Sequence, residues 1–496
     1  NPNRHEHRKQ GLTPAKPFLS AYEANEGQWH LDFPTIEGVG ELSMNMVTGV
    51  NIVADGVDFS GFHVRKYRFG VKISNSIGSR VGDCILSEFG APHGPGSPGH
   101  YVGTGASISN SKNSVVENCF VIDSEAEGIQ ITNGRHMTVR NCRVYSRSYH
   151  ENWRLPSGQL NTALSGWDQR GIDYGIIVTG GWTAYDNLIE DCCVEFKYPG
   201  SLPLEDTVYD GHGYGISPAV GTAMYGNKIR DCEVFAGADG VVIRGQDTYD
   251  NTIETLEAEL TSYAVKLTRG AHDNTFKRLQ CRRICSALAT DDGQGSPDIH
   301  HNTFVNCGFG FHGASYDTII HSPTGSNYSI RDNLFCNCTF IGSGTANSRV
   351  AAVKWSSVSI IDNTFVNSIV HDFPNLRGGS TAGVFGIDFV KCNFRNSSFW
   401  TDSTQNPSGS YTSCNDDDPG LVNTSSTNNA DFHVDPYCGP NPNCGAPIYQ
   451  YLGAVDRGTT STELQQYVDL SIIVDIDGES GAYQNLYDIG CDEYYP

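Results

Sequence analysis

Asn227-Lys-Ile-Arg-Asp-Cys-Glu-Val234 decides the fold of this chain. Ile229, Cys232 and Val234 fall on one side of an extended backbone, and Lys228, Arg230 and Glu233 fall on the other. The three-residue gap from Ile229 to Cys232 breaks the two-residue alternation of a strand. One residue must turn there, and the pattern places Asp231 at the turn. Asn and Asp tolerate the left-handed backbone that such a corner needs. The segment thus reads as two short strands meeting at a corner, with the cysteine carried inward just after it.

The same segment recurs along the chain. Cys84, Cys119, Cys142, Cys192, Cys307, Cys338 and Cys392 each follow a comparable run, and Leu256, Leu279 and Ser368 fill the same slot. Gly56 reads as an earlier copy. The corner residues that match Asp231 are Asp83, Asn118, Asn141, Asp191, Asn306 and Asn337. Steps from Cys84 onward are 35, 23, 50, 40, 24, 23, 28, 31, 30 and 24 residues. A floor near 23 residues with variable additions is the mark of a solenoid with inserted loops.

A third strand per coil reads glycine-apolar-x-apolar, as in Gly70-Val-Lys-Ile-Ser74, Gly128-Ile-Gln-Ile-Thr132 and Gly240-Val-Val-Ile-Arg244. Three short strands in a coil of this length describe an all-β fold, a parallel β-helix of about a dozen coils. The expected organisation is an opening segment over 1–40, the β-helix over 41–400, and an irregular cap over 401–496. Long loops are expected at 85–104, 145–173 and 195–213.

The chain resembles the right-handed parallel β-helix superfamily, which includes pectate lyases, polygalacturonases, alginate lyases and epimerases, and phage tailspikes. Gly11-Leu-Thr-Pro-Ala-Lys-Pro-Phe18 is similar to the opening of many secreted members. Asp418-Pro-Gly-Leu-Val422, Asp431-Phe-His-Val434 and Asp488-Ile-Gly-Cys-Asp-Glu-Tyr494 are similar to their closing segments. The resemblance implies an extracellular protein acting on polysaccharide. Gly211-His-Gly-Tyr-Gly-Ile-Ser217, followed by Gly240-Val-Val-Ile-Arg244, loosely resembles the polygalacturonase pattern of a GHG motif before an R-I-K strand. The leading Arg is absent, and the matching carboxylate pair would be Glu190-Asp191, with Asp191 at a corner.

Over its 496 residues the chain carries a formal net charge of −23. That charge disfavours nucleic acid as a partner. An acidic polysaccharide would need a local basic patch. No apolar run approaches the ~20 residues of a membrane-spanning helix. In-register neighbours on parallel strands suit disulfide geometry poorly, so the cysteines that recur in the repeat read as free thiols filling the core. Cys438 and Cys444 are the best disulfide candidates. Four glycosylation sequons begin at Asn327, Asn337, Asn396 and Asn423.

The repeat is interrupted between the cysteine strand and the glycine strand, so the inserted loops gather on one side. Such a face is often the binding face of a solenoid. The inserts carry Trp153, Trp167, Arg170, Asp173, Lys197, Tyr209, Asp210 and His212. Rings that stack on sugars, mixed with polar groups that read hydroxyls, are the chemistry of a carbohydrate cleft.

Beneath the loops, the residues preceding the glycine are Glu127, Tyr174, Tyr214, Asp239, Tyr263 and Ser286. Two positions after it come Gln130, Ile177, Ser217, Val242, Lys266 and Ala289. Four after it come Thr132, Thr179, Ala219, Arg244, Thr268 and Asp291. These side chains alternate outward.

The expected chemistry is β-elimination from an anionic polysaccharide. Arg244 and Lys266 neutralise a uronate carboxylate, and His212 and Tyr214 act as base and acid. Glu127, Trp153, Trp167, Arg170, Tyr174, Lys197, Tyr209 and Asp239 are the expected substrate contacts. Calcium could assist through Asp173 and Asp210. A glycoside hydrolase using two of the carboxylates and a non-catalytic, self-assembling fibre or adhesin remain open alternatives. In the fibre reading, Arg244 and Lys266 are exposed charges on the outside of a rod.

Overall fold

The computed structural model describes residues 34–37, 48–89, 103–124, 126–146, 174–181, 183–196, 213–291, 297–312, 317–322, 328–353, 358–379, 384–401, 403–416, 421–423, 431–434 and 461–468. Trp153, Trp167, Arg170, Asp173, Lys197, Tyr209, Asp210, His212, Cys438 and Cys444 lie outside these residues.

The glycine strands form one 12-stranded sheet whose spatial order is their order in sequence, from Thr48–Ile52 to Asn375–Gly379. All neighbouring pairs whose register is recorded are parallel, as with Glu127–Thr132 beside Tyr174–Gly180. A parallel neighbour added once per pass is what a solenoid produces. The crossovers take the right-handed sense that parallel connections almost always adopt, so the fold is a right-handed parallel β-helix.

The other two strands of each coil belong to a 25-stranded sheet that bends at the corner. In the coil quoted above they fuse into one eight-residue strand, Lys228–Phe235. Ile229, Cys232 and Val234 are buried, while Lys228, Arg230 and Glu233 are partly exposed.

Every expected corner residue has a left-handed backbone. Asp231 has φ 54°, and Asp83, Asn118, Asn141, Asp191, Asn306 and Asn337 lie between 49° and 54°. Thr255, Arg278, Asn367 and Lys391 adopt the same conformation in other copies.

The earliest copy needs correction. His63 pairs with Ile85, so Phe62, and not Gly56, precedes Cys84 in the cysteine column. Gly56, with φ 66°, belongs to a different corner, where its N–H donates to the Ile77 carbonyl. The loop boundaries also move. Ile85–Phe89 is a strand inside the first segment expected to be a loop, and the strand Cys193–Phe196 runs on into the third. Asn337 is 2% exposed and accepts a hydrogen bond from Asn367, which leaves no room for a glycan in the folded chain.

The core changes character along the axis. Aliphatic and cysteine side chains fill the earlier coils. Each of the eight cysteines that recur in the repeat is buried and unbridged. In later coils Phe276, Phe304, Phe335, Phe365 and Phe389 succeed one another, with centroids 4.5 to 5.1 Å apart. Ring spacing matches the spacing of stacked strands because each ring rides on its own coil.

A second interior file is polar. Asn187, Asn227, Asn251, Asn274, Asn302, Asn333 and Asn363 lie one per coil, all buried. Each Nδ2 donates to the next Oδ1 at 2.8 to 3.2 Å. The same Oδ1 accepts the backbone N–H of the preceding asparagine. The file thereby satisfies backbone groups that the turn takes out of the sheet ladder.

Near the C-terminus, the short helix Ser461–Leu464 lies on the outside of the solenoid. Leu464 and Val468 cover Val305, Cys336 and Val366, and Lys391 pairs with Glu463 at 2.8 Å. No helix among the described residues is long and apolar enough to cross a membrane.

Candidate functional site

The site is built on the outward face of the 12-stranded sheet. Glu127 pairs with Tyr174, Tyr174 with Tyr214, Tyr214 with Asp239, Asp239 with Tyr263, and Tyr263 with Ser286. One column therefore carries a carboxylate, two tyrosines, a second carboxylate and a third tyrosine along the axis. In the next outward column Val242 pairs with Lys266 and Lys266 with Ala289. Both columns match the sequence alignment.

The third column departs from it by one position. Val220, not Ala219, pairs with both Thr179 and Arg244. The register shifts between Ile216 and Ala219, where Pro218 interrupts the strand. The bulge turns Ala219 into the core, where it is fully buried opposite Ile243. A proline lacks the N–H that a central strand needs, so it is placed at a bulge.

Lys266 is the centre of the described cluster. Its Nζ lies 3.6 Å from Asp239 Oδ2. It also sits 5.6 Å from the ring centroids of Tyr214 and Tyr263, with one ring from the preceding column on either side. The Tyr214 ring in turn lies 4.7 Å from Tyr174. The Lys266 side chain is 14% exposed and that of Asp239 is 2%. These are not the water-exposed charges expected of a bare rod.

Three other expected residues fall nearby. Arg244 lies on the strand before Lys266 and two positions further along, partly exposed. Glu127 lies three strands before Asp239 in the same column. Burial pushes its carboxyl above the usual range, opposed by a hydrogen bond from Thr104 Oγ1 to Oε2 at 2.9 Å. Tyr174 stacks into the row as described. Asp191, the counterpart of a polygalacturonase carboxylate, sits at a left-handed corner and belongs to another side of the coil.

The alignment missed one residue. His321 pairs with Ala289, which places it in the Lys266 column two strands on. Its ring lies 6.0 Å from that of Tyr263. The signal was present but broken. The strand Thr318–Ser322 has Ile319 where earlier copies have Gly or Ala, so it did not align by its small residue.

The backbones of Glu127 and Asp239 are about 14 Å apart by strand spacing, while the carboxyl groups of a glycosidase stand ~5–9.5 Å apart. A cation and two tyrosines stand beside Asp239, and His321 joins them through its contact with the Tyr263 ring. Among the described residues no group of three or more His, Cys, Asp or Glu could hold a metal ion. Asp173 and Asp210 lie outside the described residues.

No family model matches the chain, and no curated protein is matched by it. Solved structures similar to it include the catalytic domain of a GH87 alpha-1,3-glucanase in complex with nigerose. That chain is 13% identical, with 82% of this chain and 68% of that one covered and a TM-score of 0.39. A hyperthermoactive exopolygalacturonase from Thermotoga maritima is 11% identical over 75% of this chain and 86% of that one, with a TM-score of 0.34. The tailspike protein of E. coli bacteriophage HK620 in complex with pentasaccharide is 10% identical over 78% and 64%, with a TM-score of 0.38.

Proposed function

We propose that the chain cleaves an anionic polysaccharide outside the cell by β-elimination on the outward face of the 12-stranded sheet. The observation that carries this reading is the burial of Lys266 against Asp239 between two tyrosine rings. Outward positions on a solenoid can hold charge in water at little cost. Removing an ion pair from water costs several kcal/mol per ion and rarely repays itself in stability. A buried charge pair on a face that the fold would let stay wet is a functional-site candidate.

In the proposed reaction Lys266, with Arg244 one strand before it, neutralises the uronate carboxylate. Neutralisation lowers the cost of removing the C5 proton, because the developing negative charge spreads into that carboxylate. A histidine takes the proton, and the Tyr214 phenol protonates the departing O4. Asp239 fixes the Lys266 ammonium and holds its charge when substrate is absent. Tyr174, Tyr214 and Tyr263 line the path along the axis that a polymer would follow. Trp153, Trp167, Arg170, Lys197 and Tyr209, with the calcium candidates Asp173 and Asp210, extend this proposal beyond the described residues.

The decisive experiment is a panel of alginate, pectin, glycosaminoglycan and sulfated fucan, read for ultraviolet absorbance of a 4,5-unsaturated product and for new reducing ends. The expected outcome is both signals together on a uronic acid polymer. Reducing ends without absorbance would assign hydrolysis. Neither signal on any polymer would leave the fibre or adhesin reading.

A further inference from the structure

Ser286 and Ala289 are fully buried, although both face outward from the sheet. They follow Tyr263 and Lys266 by one strand, each in its own column. Side chains this small shield themselves poorly, so larger neighbours must lie over them. Two rings flank them. Tyr263 comes from the strand before and His321 from the strand after, with centroids 6.0 Å apart and planes inclined at 59°. The two rings are only 9% and 8% exposed. The face of Tyr263 also receives Lys266 Nζ at 5.6 Å. Asp239, Lys266, Tyr263 and His321 are thus one connected set, running along the axis past the small floor of Ser286 and Ala289.

We infer that His321 is a catalytic residue of the elimination, the base that takes the C5 proton from the uronate held by Lys266. The inference rests on the elimination reading above. The carboxylate and the proton to be removed share one sugar carbon, so neutraliser and base must address the same ring. Lys266 and His321 stand in one column, two strands or about 9.6 Å apart at the backbone. Both side chains are long enough to lean toward the alanine between them. Groups three or more strands apart would address different sugars.

The neutral imidazole takes the C5 proton, and that C–H electron pair becomes the C4=C5 double bond. The C4–O4 bond breaks, and O4 accepts the phenol proton of Tyr263, which touches His321 and Lys266 and takes the place of Tyr214 as the acid for this base. The imidazolium then returns its proton through solvent to the tyrosinate, which resets both groups. Among the described residues, the titratable and charged groups linked to His321 on this face are Tyr263 at ring contact and, beyond it, Lys266 and Asp239.

The test uses the full chain on whichever uronic acid polymer the wild type cleaves, with His321→Gln, His321→Ala and His212→Ala compared. The expected result is a fall in kcat/KM of about 10²–10⁴-fold for both His321 variants. The acid limb of the pH profile flattens, and added imidazole restores part of the His321→Ala rate. Thermal melting of His321→Gln stays close to wild type, which separates chemistry from packing. Unsaturated product formed at the wild-type rate, with the acid limb intact, would overturn the assignment while leaving elimination in place. So would loss of the limb in His212→Ala alone. Hydrolytic products from the wild type would overturn the elimination reading itself.

Discussion

Truncating Lys266 would take an ammonium away from a buried carboxylate. Asp239 is all but inaccessible to water, and its ammonium partner lies at 3.6 Å. Breaking such a pair from one side typically costs about 3–5 kcal/mol, whereas replacing both partners with apolar groups of similar size is often neutral. Lys266→Ala is therefore expected to lower the urea midpoint sharply, and Lys266→Met with Asp239→Leu to recover most of it. Both proteins should lose turnover. A double variant as unstable as the single one would show that the ion pair does not set the loss.

Thr255 gives a residue-scale prediction of the opposite sign. It occupies a left-handed corner at φ 56°, a poor place for a β-branched residue. Its Oγ1 is also buried without a hydrogen-bond partner. Thr255→Asn removes both penalties and is expected to stabilise the chain by about 1 kcal/mol, read as a raised melting temperature. Most other copies hold Asn or Asp at this corner, and the Arg278 and Lys391 that replace them in two copies are not β-branched.

At the scale of elements, the coil was largely legible and the site partly so. The cysteine copies, the Asn and Asp corners and two of the three outward columns follow from alternation and from the left-handed tolerance of two residue types. Three features did not follow. Pro218 displaces Ala219 inward, which a count from the glycine cannot register. Ile319 in place of a small residue hid His321. The burial of Lys266 and Asp239 depends on what lies over the sheet, and strand alternation carries no information about that.

The asparagine file was present in the sequence, since Asn187, Asn227, Asn251 and Asn274 each stand two residues before a buried Ile or Phe. Only the geometry shows that they join. Asn274→Leu removes the acceptor for both the backbone N–H and the Nδ2 of Asn251. It also removes the donor to the Thr248 and His272 carbonyls. Each buried group left unpaired costs about 1–3 kcal/mol. The expected loss is at least 3 kcal/mol by that estimate, measured as a denaturant midpoint, and larger than for Lys228→Ala on the wet face of the same sheet.

For the molecule as a whole, acid should be the weak direction. Hydrogen bonds from Arg80 and Arg140 hold the Glu117 carboxyl below its usual range. Pairing with Arg331 and the Ser329 N–H outweighs burial and does the same for Asp298. Carboxylates with depressed folded pKa values contribute stability above their unfolded values and lose it as pH falls through the folded ones. His300 adds to this from a different cause. Burial, followed by the charges of Arg331, His272 and His301, lowers its pKa from 6.5. The unfolded chain then takes up a proton at a pH where the folded one resists it. Melting temperature should fall as pH drops below about 6.5, the ordinary histidine value, and fall more steeply through the carboxylate range. His300→Gln should flatten only the upper part of that decline.

The buried thiols have a use that concerns neither packing nor catalysis. Burial holds Cys192, Cys232 and Cys281 well above the ordinary thiol range, so they stay unreactive while their coils are closed. Further reduced sulfurs lie along the axis from Cys84 to Cys392. Solenoids contact mainly their nearest neighbours, so opening can begin at one place and spread. Brief exposure to an alkylating reagent, followed by peptide mapping, would time-stamp each cysteine-bearing coil as it opens. The chain thus carries its own graduated clock, from which the direction of unraveling can be read without adding a probe.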